Sequence, residues 1–269
     1  MITIVFGIPG AGKTCLLTYI ANCYAYNRER FKNMEKDIIK LNNGGFNLSV
    51  PDHPVFSNYP IHFKKFRRSR KFSYYFNPFL LGFKNDKVDV QPTIPYGVYF
   101  VDEGQEYYDS RMSSNFPKWI SRFFEKHRHN DLEFYIGCQR GDLIDLNVRS
   151  HARFLEVIKR KEKYDSKGRI VKIVWTCNFI ENVKMYDLYM ESKGRDKSTF
   201  KQVTITADYN VFELYDSKAE KPKFLSLLLE GGDFDLLEFK NIDFNVDTYK
   251  EFMDKYSNAC PPNFYKKDK

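Results

Sequence analysis

The sequence predicts an α/β fold organised around a mostly parallel central sheet. Three observations predict it. Ile2-Thr3-Ile4-Val5-Phe6 is an apolar strand that runs into a glycine-rich turn, Gly7-Ile8-Pro9-Gly10-Ala11-Gly12, and then into a helical pattern that starts at Lys13. A second apolar run, residues 96–101, stops at the carboxylate pair Asp102-Glu103. A third, residues 132–138, stops at Gln139. Strands alternating with helices build parallel sheets, and such sheets present their ligand-facing residues at strand C-termini. A basic-aromatic insert and C-terminal β-hairpin additions are expected around that core.

The turn after the first strand matches GxxxxGK[ST], the Walker A pattern, with Lys13 and Thr14 as its last two residues. Its chemistry follows from backbone and dipole. Glycines allow the chain to wrap phosphates with N–H groups, and a helix N-terminus adds a favourable field. Lys13 reaches the β- and γ-phosphates, and the Thr14 hydroxyl faces Mg²⁺. The expected nucleotide-binding set is Gly7, Pro9, Gly10, Ala11, Gly12, Lys13, Thr14 and Cys15, with ATP and Mg²⁺ as ligands. This motif implies a P-loop NTPase but does not choose among kinases, GTPases and translocases.

The first helix places Leu16, Leu17, Ile20 and Tyr24 on one face. It extends past Arg28 and as far as Leu41, where Asn42-Asn43-Gly44-Gly45 stops it. Residues 53–60 form a short second strand bounded by prolines. Residues 62–95 are an insert. Within it, residues 64–76 interleave Lys and Arg with Phe and Tyr, a mixture that can hold phosphates while stacking bases. A membrane or protein contact, or a solvated loop packed on the core, fits the same composition.

The strand at 96–101 with Asp102-Glu103 is a Walker B pattern. Asp102 would hold Mg²⁺ through its water shell, and Glu103 would act as the base that polarises the attacking water. Kinases of small molecules do not need that second acid. The next helix begins near Pro117, capped by Ser114 or Asn115, and its face of Trp119, Ile120, Phe123, Phe124 and His127 is core. His127 and His129 lack partners for a metal site. Gln139 is placed to sense a γ-phosphate or orient water, or to cap a turn.

Residues 142–149 read as a short helix or turn. Residues 154–164 and 169–179 read as a hairpin about Asp165-Ser166-Lys167-Gly168, with Val171, Ile173, Trp175 and Cys177 alternating on one face. A further strand is expected at 211–215. Residues 218–269 are irregular, broken by Gly231-Gly232, with a basic tail, and form a C-terminal extension.

The chain has 269 residues, of which 42% are hydrophobic, and a net charge of +8. One α/β domain with additions fits that length, and an anionic partner fits that charge. Five cysteines, an odd number without CxxC spacing, predict neither a zinc site nor a disulfide framework and suit a reducing compartment. No signal peptide is read at the N-terminus, and no run of about 18 apolar residues is long enough to span a membrane.

The order GIPGAGKT, FSNYP, VYFVDEGQEYYDSR, FFEKHRHNDLEFYIGCQRGDLIDLNVR, VFELYDS resembles the zonula occludens toxin (Zot) domain, a family that includes the assembly ATPases of filamentous bacteriophages. The resemblance spans roughly residues 1–217. Its more specific part is the run from Arg128-His129 through Gln139 to Asp145 and Arg149. It implies a P-loop ATPase of the kind that drives export or packaging of single-stranded phage DNA. By residue it implies Lys13 and Thr14 on the phosphates and Mg²⁺, Asp102 and Glu103 as the acidic pair, and Gln139 as a sensor. It makes Arg128 and Arg149 candidates for a γ-phosphate contact, either within the chain or across a subunit interface, the second of which implies a homo-oligomer; a structural ion pair is the alternative for each. Family members usually carry a membrane-spanning segment after the ATPase domain. Without one, the chain is expected in the host cytoplasm, either free or docked peripherally at the inner membrane on a phage or host partner. The residues also admit a nucleotide-dependent scaffold for coat or membrane partners, and a small-molecule kinase.

Overall fold

The structure is a computed structural model that describes residues 1–26, 55–63, 73–75, 78, 82–83, 91–92, 97–112, 121, 123–125, 127 and 132–215. Its strands are β1 (Ile2–Phe6), β2 (Val55–Ser57), β3 (Tyr74–Tyr75), β4 (Gly82–Phe83), β5 (Gln91–Pro92), β6 (Gly97–Val101), β7 (Leu132–Cys138), β8 (Ala152–Tyr164), β9 (Ile170–Ile180) and β10 (Lys201–Ala207). The helices whose bounds are described are α1 (Lys13–Tyr26), α2 (Leu146–Arg149) and α3 (Val183–Glu191). Eight of the described strands form one mixed sheet in the order β10-β9-β8-β1-β7-β6-β2-β3. From β8 to β3 every pairing is parallel; β9 and β10 join antiparallel at the other edge. This is an α/β fold with a mostly parallel sheet, as the sequence predicts.

β1 is buried along its whole length, which a five-residue β-branched and apolar strand can satisfy only inside a sheet covered on both faces. Ile2, Ile4 and Phe6 pack on one side with Phe134, Ile136 and Phe154. Val5 packs on the other with Leu16, Leu17 and Ile20 of α1. That second cluster continues under β8–β10, where Trp175 stacks on Tyr19 at 5.5 Å between ring centroids. The aromatic richness of the sequence is thus spent largely in the core, with Tyr99 sandwiched between Phe56 and Phe134 at 5.0 and 4.6 Å.

The hairpin falls where the alternation predicts it. Ile173, Trp175 and Cys177 are buried on one face, while Val171 in the same phase lies beyond the core and is exposed. Residues 211–215 correct an expectation. Val211–Leu214 is a single 3₁₀ turn and no strand. Asn210 accepts a hydrogen bond from the Phe212 N–H, and Val211 and Leu214, three apart, turn inward together. The sequence reading also leaves out α3 and β10. Asn182 caps α3 by accepting from the Met185 N–H at 3.0 Å, and Val203, Ile205 and Ala207 alternate inward along β10. The continuation of the first helix beyond Tyr26, its stop at 42–45, most of the insert, the helix start near Pro117 and the extension 218–269 lie outside the described residues.

Cys15, Cys23, Cys138 and Cys177 are free thiols in the interior. Burial pushes Cys15 and Cys177 up to about 12, and burial likewise pushes the Tyr107 and Tyr189 hydroxyls up to about 12. The sign of the linkage is fixed by this. Each group keeps its proton in the folded chain at a pH where the unfolded chain releases it, so stability is full below about pH 8.5, the unfolded thiol value, and declines as pH rises toward 12. The urea midpoint should be level from pH 7 to 8, fall above 8.5 and fall faster above 10, when the tyrosines join. A midpoint unchanged up to pH 10.5 would contradict it.

Candidate functional site

The turn between β1 and α1 has the backbone that its glycines permit. Gly7, Gly10 and Gly12 all have positive φ, at 151°, 79° and 93°. The loop folds on itself through the Ala11 N–H to the Ile8 carbonyl at 3.1 Å, and helix α1 starts with the Leu16 N–H on the Gly12 carbonyl at 2.9 Å. Lys13 is buried, and its Nζ donates to the carbonyls of Gly7 and Ile8 at 2.9 and 3.2 Å. A buried ammonium needs acceptors. Here the loop's own carbonyls supply them, at the place where phosphate oxygens would compete for the same protons.

The carboxylate pair meets this loop. Thr14 Oγ1 donates to Asp102 Oδ2 at 3.0 Å. The two ends of the sequence motif, 88 residues apart, therefore share one hydrogen bond. They sit apart in the sheet, because β7 lies between β1 and β6. Space for the carboxylate comes from Gly137 of β7, where a Cβ would lie 3.1 Å from Asp102 Oδ1 and 2.7 Å from Leu17 Cδ1. Glu103 follows in a left-handed conformation, φ 53° and ψ 48°, and its Oε2 accepts from Gln105 Nε2 at 2.5 Å. β7 delivers Gln139 beside the loop. The Gln139 carbonyl accepts from the Gly7 N–H at 3.3 Å, and the residue is exposed.

Lys13, Thr14, Asp102, Glu103 and Gln139 thus gather at the C-terminal ends of β1, β6 and β7. Pro9 and Gly10 are exposed, at the rim of the loop, and Cys15 is buried in the first turn of α1. The hard oxygens of Thr14 and Asp102, a hydrogen bond apart, fit a Mg²⁺ ion and its waters, and the basic, N–H-rich loop fits polyphosphate. Arg149 is elsewhere. It ends α2, three residues before Ala152, and Ala152 pairs with Ile2 at the opposite end of β1 from the loop. That is about 17 Å along the strand. Its Nη1 lies 3.9 Å from Asp187 of α3. A phosphate contact by Arg149 would therefore have to reach the loop of another copy. Asp145 is a buried N-cap that accepts from the Asn147 N–H at 2.8 Å. Arg128 lies outside the described residues, as do residues 64–72 of the basic-aromatic segment.

Two residues that the sequence reading gives no role stand at the site. Asn58, just past β2, clamps Asp102 from both sides. Its Nδ2 donates to the Asp102 carbonyl at 3.0 Å, and its Oδ1 accepts from the Asp102 N–H at 2.9 Å. The sequence offers only a polar residue at the end of a short strand; the pairing of β2 with β6 is what brings it to Asp102. Asn58→Ala removes two buried hydrogen bonds to the Asp102 backbone, at about 1–3 kcal/mol each, and should lower unfolding free energy by about 2–6 kcal/mol in urea titrations. A loss below 1 kcal/mol would mean that water replaces the clamp. Arg160 of β8 lies against the loop: a Cβ on Gly12 would be 2.7 Å from its Cδ and 3.0 Å from its Nη1. Its guanidinium is 3.1 Å from Glu162 and stacks over Phe212 at 4.8 Å.

Comparison with protein-family models and with curated proteins finds no match. Among solved structures, the chain is similar to the N-terminal domain of zonular occludens toxin from Neisseria meningitidis. The identity is 18% and the TM-score 0.48, over 80% of this chain and 98% of that one. It is also similar to the genome packaging NTPase B204 from Sulfolobus turreted icosahedral virus 2 in complex with ATP-gammaS. There the identity is 9% and the TM-score 0.36, over 75% of this chain and 96% of that one. No helix among the described residues is long and apolar enough to cross a membrane.

Proposed function

We propose that this chain is an ATP-hydrolysing motor of bacteriophage assembly that moves single-stranded DNA for export or packaging. The observation that carries the reading is the Thr14–Asp102 contact at 3.0 Å, which joins the phosphate loop to the acidic pair and puts Glu103 at the next residue. The loop binds the polyphosphate through its N–H groups and Lys13, whose present bonds to Gly7 and Ile8 are exchanged for bonds to phosphate oxygens. Thr14 and Asp102 would hold Mg²⁺, which would neutralise phosphate charge. Glu103 accepts a proton from the attacking water, and Gln139 orients that water or senses the γ-phosphate.

The motif order that resembles the Zot domain supplies the setting: residues 1–217 as the motor, a homo-oligomer with Arg149 or Arg128 acting across the interface, and a phage or host partner at the membrane. Steady-state phosphate release, measured with and without single-stranded DNA, tests the reading. Turnover that DNA stimulates supports it. Tight ATP binding with no turnover under any condition would replace it with a nucleotide-dependent scaffold.

A further inference from the structure

One face of the β8–β9–β10 sheet takes no part in the nucleotide site. Ile158 is an extra residue in β8, and the pairing moves from Val157 with Cys177 to Lys159 with Thr176. Beyond that bulge Arg160 and Glu162 share the inner face with Trp175 and Ile173, while Lys159, Lys161 and Lys163 turn outward and are exposed. Their cross-strand partners are Thr176, Val174 and Lys172, and β10 adds Thr204 and Thr206 beside them. Among the described residues, α3 covers the near part of this face. Tyr186 stacks on Phe154, and Tyr189 bonds to Glu156 and Asn178.

Lys163 sits directly opposite Lys172. Like charges in that position repel. Asp208, 3.7 Å from Lys172, is the acid beside them, and at 65% exposure it screens the pair weakly. An anion laid across the strands relieves the repulsion. Lysines at every second residue recur about 6.7 Å apart, so a small anion serves one of them and only a polyanion serves the row. The intervening threonines are short, keep the face flat and can donate to phosphate oxygens.

We infer that this face binds the sugar-phosphate backbone of single-stranded nucleic acid through Lys159, Lys161, Lys163 and Lys172, an assignment that rests on the motor reading for the choice of a nucleic acid. It also gives that reading a mechanical link. The same strand backs the phosphate loop: a Cβ on Gly7 would lie 2.7 Å from the Val157 carbonyl oxygen, and Arg160 lies on Gly12. Lys159 and Lys161 flank Arg160 in the chain, so a shift of the outer row moves the inner one.

The test is fluorescence anisotropy of a labelled oligo(dT) across a salt series, with the wild-type chain and the triple variant Lys159→Gln/Lys161→Gln/Lys163→Gln. Three lost phosphate contacts should weaken binding at low salt by about tenfold or more and flatten the log–log salt slope by about 2. Binding of an ATP analogue by the same variant should be unchanged. Acetylation of the wild-type chain gives a second measurement that needs no variant: oligo(dT) should shield Lys159, Lys161 and Lys163. The inference is overturned if the triple variant keeps the wild-type slope, if the three lysines stay fully reactive under bound DNA, or if the chain binds anionic phosphatidylserine vesicles and no DNA. DNA held on these lysines by a chain that never hydrolyses ATP would overturn the motor reading and leave this one standing.

Discussion

Glu103→Gln is expected to lower ATP turnover by about 10²–10⁴-fold while leaving ATP binding intact, the usual size of a lost general base. The substitution keeps the length of the side chain and removes only its capacity to take a proton. It does not touch Lys13, Thr14 or Asp102, which make the binding contacts proposed above. The backbone is a second reason to single out Glu103. A non-glycine residue at φ 53° costs about 1–3 kcal/mol and persists only where its surroundings fix it. Here the next turn fixes it: the Glu106 N–H donates to the Glu103 carbonyl at 2.9 Å, and the Tyr108 N–H donates to the Gly104 carbonyl at 2.9 Å. The strain aims one carboxylate, which Gln105 then holds at 2.5 Å. Phosphate release and equilibrium binding of a fluorescent ATP analogue separate the two effects. Turnover within about threefold of wild type would remove Glu103 from the mechanism, and a parallel loss of binding would make its role structural.

The parts of this site that were legible in the sequence are those held by the chain itself. The glycine-rich loop is contiguous, and Asp102-Glu103 and Gln139 announce themselves at the ends of apolar strands. What was illegible depends on register. Plain alternation along β8 from Leu155 and Val157 would send Lys159, Lys161 and Lys163 inward and Arg160 outward. One extra residue, Ile158, reverses this. The bulge is what brings Arg160 to the loop and leaves the lysines in solvent, and no local pattern marks it. Asn58 was hidden for a different reason. Its role arises from the pairing of β2 with β6, which sets Ser57 beside Phe100 and so carries Asn58 to Asp102. Residues 211–215 show a third limit: five mostly apolar residues suit a strand, but an Asn cap and an i, i+3 pair close a 3₁₀ turn instead. Arg149 is a candidate only through the resemblance to the Zot domain, and the parallel register of β8 with β1 puts it at the far end of the sheet from the loop.

Gly7→Ala should be the most damaging single change in the loop, and Gly10→Ala a mild one. Both glycines have positive φ, so both substitutions carry a backbone cost of about 1–2 kcal/mol. They differ in what the new methyl meets. At Gly10 there is nothing within 4 Å. At Gly7 the methyl would be 2.7 Å from the carbonyl oxygen of Val157, a backbone atom of a strand paired on both sides. Neither partner can step aside without breaking the β1–β8 pairing or the loop. Overpacking of this kind adds about 1–3 kcal/mol, so Gly7→Ala should lower unfolding free energy by about 2–5 kcal/mol and Tm by roughly 5–15 °C. Relief by moving the loop would displace the Gly7 carbonyl that anchors Lys13, and should weaken ATP binding by about tenfold or more. Differential scanning calorimetry and nucleotide titration on the two variants check this. Equal effects at the two positions would mean that φ strain alone sets the cost and that β8 does not brace the loop. A mild Gly7→Ala would also cut the proposed link between the lysine row and the nucleotide, because that link runs through the same contact.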